Sequence, residues 1–126
     1  MFVFVYGTLK RGYSNHDLLE IIEAEFIGKA KTAKPTFDLI NLRAFPGLVW
    51  GDYFVSGELY DVSDKNIGVI DRLEGHPDFY CRDVIPVSVD DLIVEIEAWA
   101  YFINEPEHYH AVPENAENEK VKSWGN

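Results

Sequence analysis

The stretch whose reading decides the fold is Met1-Phe-Val-Phe-Val-Tyr-Gly-Thr-Leu-Lys-Arg-Gly12. Phe2 to Tyr6 are apolar without a break. Phe, Val and Tyr suit the pleated surface of a strand better than a helix. A short apolar run stopped by glycine reads as a strand buried on both faces. The chain then turns at Gly7 to Gly12. Two readings of that turn stand side by side. One is a plain strand-to-loop junction. The other is a nest whose successive backbone N–H dipoles converge on an anion.

Downstream, Ser14 to Ala24 predicts a short helix capped by Ser14 or Asn15, with Asp17 in its first turn. Leu18, Leu19 and Ile22 form its apolar stripe, with Ile21 at the edge. From Phe26 to Tyr60 the pattern becomes a series of short strands: 26–33 with a bulge at Gly28, 37–40, 48–50 and 53–60. Pro46-Gly47 and Gly51-Asp52 read as turns between them. Such a series is the signature of an antiparallel sheet or a small barrel.

A second helix is expected from a cap at Ser63 or Asp64 to about Leu73, with Ile67, Ile70 and Leu73 on its buried face. Gly68 weakens it by up to roughly 1 kcal/mol relative to alanine. Gly75 suits a left-handed C-terminal position and Pro77 prevents continuation. Strands 83–89 and 94–103 then form a hairpin around Asp90-Asp91. The expected organisation is one domain over residues 1–103, followed by an irregular, partly mobile polar tail, 104–126, packed on the domain or extending from it.

At 126 residues the chain is long enough for one core, and 47% of it is apolar. No apolar run approaches the roughly 20 residues needed to span a bilayer. Eleven basic against 22 acidic residues leave a net charge of −11. That balance argues against nucleic acid and anionic membrane as partners, since both require clustered positive charge. The single cysteine, Cys81, excludes an intrachain disulfide and fits a reducing, cytoplasmic location.

Glu74 is the acid best suited to chemistry. It ends a helix, follows an apolar face and precedes Phe79 and Tyr80. Directed into an apolar cavity, its carboxyl would be raised toward the range useful for general acid–base work; directed outward, it is an ordinary surface glutamate. The Glu105–His110 run holds metal-ligand types at a spacing that matches no compact site. Cys81 beside Arg82 reads as packing, His16 and His76 as helix-start and loop residues, and Phe37, Phe45, Trp50, Phe54 and Trp99 as core. The chain has no GxGxxG, P-loop or GxSxG motif.

Three segments together resemble the gamma-glutamylcyclotransferase-like (AIG2/BtrG-like) family. They are Val5-Tyr6-Gly7-Thr8-Leu9-Lys10-Arg11-Gly12 with Asn15-His16, then Gly57-Glu58-Leu59-Tyr60, then Ile70 to Gly75 followed by Tyr80-Cys81-Arg82. The resemblance spans about Phe2 to Tyr101 in the family's order. Gamma-glutamylamine cyclotransferases share the Tyr6–Gly12 run and the spacing of Glu74, Pro77, Tyr80 and Arg82. The resemblance implies an α+β fold, a small mixed β-barrel with flanking short helices and a cavity at one end. It implies that Tyr6, Gly7, Thr8 and Leu9 bind a glutamyl head, with Tyr80 and Tyr101 near it, and that Glu74 is the acid/base. The implied reaction is intramolecular: a γ-glutamyl α-amine attacks the γ-carbonyl, closes 5-oxoproline and expels an amine. That chemistry needs positioning and one proton shuttle, and no metal or cofactor. The alternatives are a non-catalytic module for a small carboxylate, or another γ-glutamyl acyl transfer. Selectivity for the leaving group is expected to lie in loops 34–52, with the tail as a second contributor. Oligomeric state is left open.

Overall fold

The opening run forms β1 (Phe2–Val5), in which Val3, Phe4 and Val5 are all buried. The structure, a computed structural model, describes residues 1–42, 44–90, 92, 94–104, 110–118 and 120–125. Successive β1 side chains point to opposite faces. Phe4 and Tyr6 join one apolar cluster with Leu59, Ile85 and Ala98, while Val3 and Val5 join another with Leu19, Tyr60 and Ile70. Neither face of this strand meets water, which is why it carries no polar residue.

β1 runs antiparallel to β5 (Phe54–Asp61) and parallel to β7 (Glu95–Ile103), with Val3 opposite both Tyr60 and Trp99. β5 also pairs with β2 (Glu25–Thr32), β2 with β6 (Tyr80–Val89), and β6 with β7, all antiparallel. The order β1-β5-β2-β6-β7 therefore closes on itself as a five-stranded mixed barrel. Beyond β7 the sheet continues through β4 (Pro46–Trp50) and β3 (Phe37–Asn41). The small mixed barrel with short flanking helices expected from the sequence is the observed architecture. The bulge expected at Gly28 is present as a register shift between Phe26 and Gly28.

Several local expectations are corrected. Pro46-Gly47 is not a turn: these residues open β4, opposite Asn41 and Ile40, and the turn lies just upstream, closed by Leu42 N–H donating to the Phe45 carbonyl at 2.9 Å. Proline is tolerated at a strand's first residue. Trp50 is not core: it is 67% exposed and stacks on Phe37 and Phe102. In the first helix, α1 (His16–Ile21), Leu19 is buried but Ile21 is 76% exposed. Asn15 gives α1 no side-chain cap. The second helix is shorter than expected: a 3-10 turn, Asp64–Asn66, precedes α2 (Ile67–Glu74). Ile67 and Ile70 are buried, whereas Leu73 is 43% exposed. Gly75 ends α2 in the left-handed region, at φ 68°. β6 begins at Tyr80 rather than Asp83, so Tyr80 and Arg82 are held in the ladder opposite Ile103 and Tyr101.

The described residues after Asn104 are less irregular than their composition suggests. β8 (His110–Ala111) pairs with β3, and β9 (Val121–Lys122) runs parallel to β5. Lys122 is buried, with Nζ 2.7 Å from Asp38 Oδ1 and over the Tyr53 ring. Residues 105–109 of the acid- and histidine-containing run, and Asp91 of the hairpin turn, lie outside the described residues.

Gly68 is in α2 with open space around it: a Cβ there would meet nothing within 4 Å. Gly68→Ala is therefore expected to stabilise the protein by up to about 1 kcal/mol through helix propensity alone. Thermal unfolding of the two proteins side by side checks this.

Candidate active site

The loop after β1 is built from its own hydrogen bonds. Lys10 N–H donates to the Gly7 carbonyl at 3.1 Å, and Asn15 N–H donates to the Thr8 carbonyl at 2.9 Å. The Asn15 side-chain amide donates to Thr8 Oγ1 at 2.9 Å, which is why it is absent from the helix cap. The loop is braced from the far end of the chain. Lys10 Nζ donates to the Trp124 carbonyl at 2.8 Å, and Tyr13 OH donates to the Gly125 carbonyl at 2.8 Å. His16 Nδ1 lies 2.9 Å from the Leu9 carbonyl, so this histidine serves the helix start. Among the described residues, nothing accepts from the backbone N–H groups of Gly7, Thr8 or Leu9. Gly7 is required for space: a Cβ there would lie 2.8 Å from Pro46 Cγ.

Tyr6, Gly7, Thr8, Leu9 and Asn15 line one wall of a cavity of about 270 Å³. Glu74, Tyr80 and Tyr101 line it as well, with Phe45, Pro46, Leu73 and Phe79 as apolar neighbours. The seven residues singled out from the sequence thus meet in one place. Leu73 is exposed because it stands at this cavity instead of in the core. Phe45 and Phe79 meet edge to face at 6.0 Å, and Phe79 meets Tyr80 the same way at 5.1 Å.

Glu74 is the last residue of α2 and is partly buried. Its carboxylate has no hydrogen-bond or ion-pair partner among the described residues. Burial alone pushes its pKa up from 4.5 to about 7. Desolvation disfavours the charged form, and no cation offsets it.

The three tyrosine hydroxyls hydrogen-bond within the protein. Tyr6 OH donates to the Tyr101 carbonyl and accepts from Leu48 N–H at 3.0 Å, so it cross-ties β1, β4 and β7. Tyr80 OH donates to the Pro46 carbonyl at 2.7 Å. Tyr101 OH donates to Asp71 Oδ1 at 2.6 Å. Each hydroxyl proton is committed to the protein, and all three residues line the cavity. Burial is the main reason all three hydroxyls stay protonated well above the usual tyrosine range.

Sequence reasoning gave Asp71 no role of its own and read Asn15 as a helix cap, not as a hydrogen-bond partner of Thr8. The signal for Asp71 was its position three residues before Glu74, on the same side of a helix. Cys81 is half-buried and outside the cavity lining. His76 Nδ1 accepts from Arg82 N–H at 3.2 Å, a loop role as expected. Among the described residues, no group of three or more His, Cys, Asp and Glu side chains is arranged to hold a metal ion.

The model of the AIG2-like gamma-glutamyl cyclotransferase family matches residues 3–125. The chain belongs to this family. The resemblance read from the Tyr6–Leu9 loop and the Glu74 segment is thereby borne out, and membership extends through the tail. A Methanocaldococcus jannaschii protein provisionally named a gamma-glutamylcyclotransferase is 40% identical over 106 residues, 82% of this chain and 85% of that protein. The gamma-glutamylaminecyclotransferase of Bos taurus is 33% identical over 107 residues, covering 79% and 63% of the two chains. The crystal structure of an AIG2-like protein from Mus musculus superimposes with a TM-score of 0.75 at 30% identity, covering 86% of this chain and 84% of that one. Among the described residues, no helix is long and apolar enough to cross a membrane.

Proposed function

We propose that this protein cleaves γ-glutamyl amines or γ-glutamyl amino acids by cyclisation, releasing 5-oxoproline and the free amine. The observation that carries this reading is the pairing of a partnerless carboxylate, Glu74, with a loop of unclaimed backbone N–H groups across one small cavity. Such N–H groups hold an α-carboxylate or the oxyanion that develops on the γ-carbonyl. Glu74 takes a proton from the α-ammonium, which frees the amine to attack the γ-carbon. The C–N bond to the leaving amine then breaks as Glu74 delivers that proton to its nitrogen. The second proton lost by the ring nitrogen ends on the released amine. Family membership and the names of the relatives support the same chemistry.

The test is release of 5-oxoproline from γ-glutamyl-lysine and γ-glutamyl-alanine; no product from any γ-glutamyl amide would refute the reading. The pH dependence is a second expected result. Only ionised Glu74 can act as the base. The free-enzyme profile of kcat/KM should therefore rise with pH through a midpoint near 7 and lose activity below it. A limb near the ordinary carboxylate range would mean that another group titrates.

A further inference from the structure

Asp71 stands one helical turn before Glu74 on α2. One of its carboxylate oxygens, Oδ1, accepts two bonds, from Arg82 Nε at 2.9 Å on β6 and from Tyr101 OH at 2.6 Å on β7. The Arg82 guanidinium lies over the Trp99 ring, 4.4 Å from its centre. A single carboxylate therefore ties the helix that carries Glu74 to both strands of the hairpin. It also decides the polarity of Tyr101. A phenol has one proton, and this one is given to Asp71. Among the described residues no donor reaches the Tyr101 oxygen, and Tyr101 lines the cavity. The hydroxyl stays protonated because burial and the bond to Asp71 both raise its pKa well above the usual tyrosine range. Toward a ligand, such a hydroxyl can only accept.

We propose that Asp71 is a positioning residue that locks the Tyr101 hydroxyl as an acceptor for the ligand nitrogen, the α-amine of the substrate and the ring N–H of the product. The inference rests on the cyclisation reading above for its reaction, but not for its ligand contact. An amine whose N–H points at Tyr101 has its remaining proton or lone pair free for Glu74 and the γ-carbon, so the contact restricts the amine to attacking orientations. Asparagine at position 71 would keep the shape but could donate its own N–H to the Tyr101 oxygen, turning the phenol proton toward the ligand.

Asp71→Asn, Tyr101→Phe and the double variant form the test. Asp71→Asn and Tyr101→Phe are each expected to lower kcat/KM by about tenfold to a hundredfold, mainly through kcat, with the double variant no worse than the poorer single one. Losses that multiply, or a wild-type rate in Asp71→Asn, would overturn the proposal. Tyr101→Phe keeps the Asp71–Arg82 pair, so it remains informative if Asp71→Asn folds poorly. Binding of 5-oxoproline by titration calorimetry separates the two readings. Binding weakened by both substitutions, in a protein that turns over no γ-glutamyl amide, would sink the cyclisation reading and support Asp71. Binding unaffected by either substitution, or absent in the unaltered protein, would sink the Asp71 proposal.

Discussion

Glu74→Gln is expected to lower kcat/KM by about 100- to 10,000-fold while making the protein more stable at alkaline pH. The loss follows from removing the only carboxylate that lines the cavity among the described residues, at the usual magnitude for general acid–base catalysis. The gain follows from linkage. The folded-state pKa of Glu74 is about 7 against an ordinary 4.5. Below the lower value both states are protonated, and the group costs nothing. Between the two, the unfolded chain ionises first and stability falls as pH rises. Above about 7 the penalty is fully developed, on the order of 3 kcal/mol. Glutamine is neutral at every pH and carries no such cost. The variant should therefore melt above the wild type at pH 8 and level with it near pH 4. Both readouts are needed together: an inactive variant that melts lower at pH 8 would point to a disturbed fold instead of a lost proton shuttle.

Gly57→Ala has the largest expected effect on stability. Gly57 lies in the middle of β5, beside β1, where a Cβ would fall inside the envelope of the Val5 carbonyl oxygen and 3.0 Å from the Phe4 ring. A flexible side chain could yield, but a backbone carbonyl in a paired strand cannot. The expected loss is about 3 kcal/mol or more, a fall of roughly 10 °C in Tm. The loop proposed to hold the ligand begins two residues beyond Val5, so 5-oxoproline binding is expected to weaken at temperatures where the variant is still folded. The contrast with Gly68→Ala is instructive. The same methyl group stabilises on an open helix turn and destabilises where two strands touch.

That contrast also marks what was legible in the sequence. β1 could be read because both of its faces are buried, and burial on two faces leaves a continuous apolar run. Gly75 could be read because a helix end that needs a left-handed residue leaves a glycine behind. The cavity residues could be read as a family pattern, and they do converge. Interactions between distant segments left no local trace. Nothing near Tyr6 announces that its hydroxyl bonds the backbone at Tyr101 and Leu48. Pro46-Gly47 looks like a turn because the steric demand on that glycine comes from Ile103, whose Cγ2 would lie 2.7 Å from a Cβ. The tail reads as irregular because β9 is only two residues long and is held by an ion pair from the buried Lys122 to Asp38. Hydrophobic periodicity cannot report a strand that short.

The brace between Lys10 and Trp124 bears on the order in which the molecule can be assembled. β1 needs both β5 and β7 to close the barrel, and the loop behind it rests on a carbonyl 114 positions away. Contacts of such long separation are slow to form, because chain entropy is lost before they return any stabilisation. The residues proposed to hold the ligand are therefore among the last to reach their working shape. A chain that stops at α2 contains the loop and Glu74 but lacks β6, β7 and the Trp124 carbonyl that braces Lys10. On the proposed reading, appearance of 5-oxoproline binding during refolding is expected to report the closing step itself.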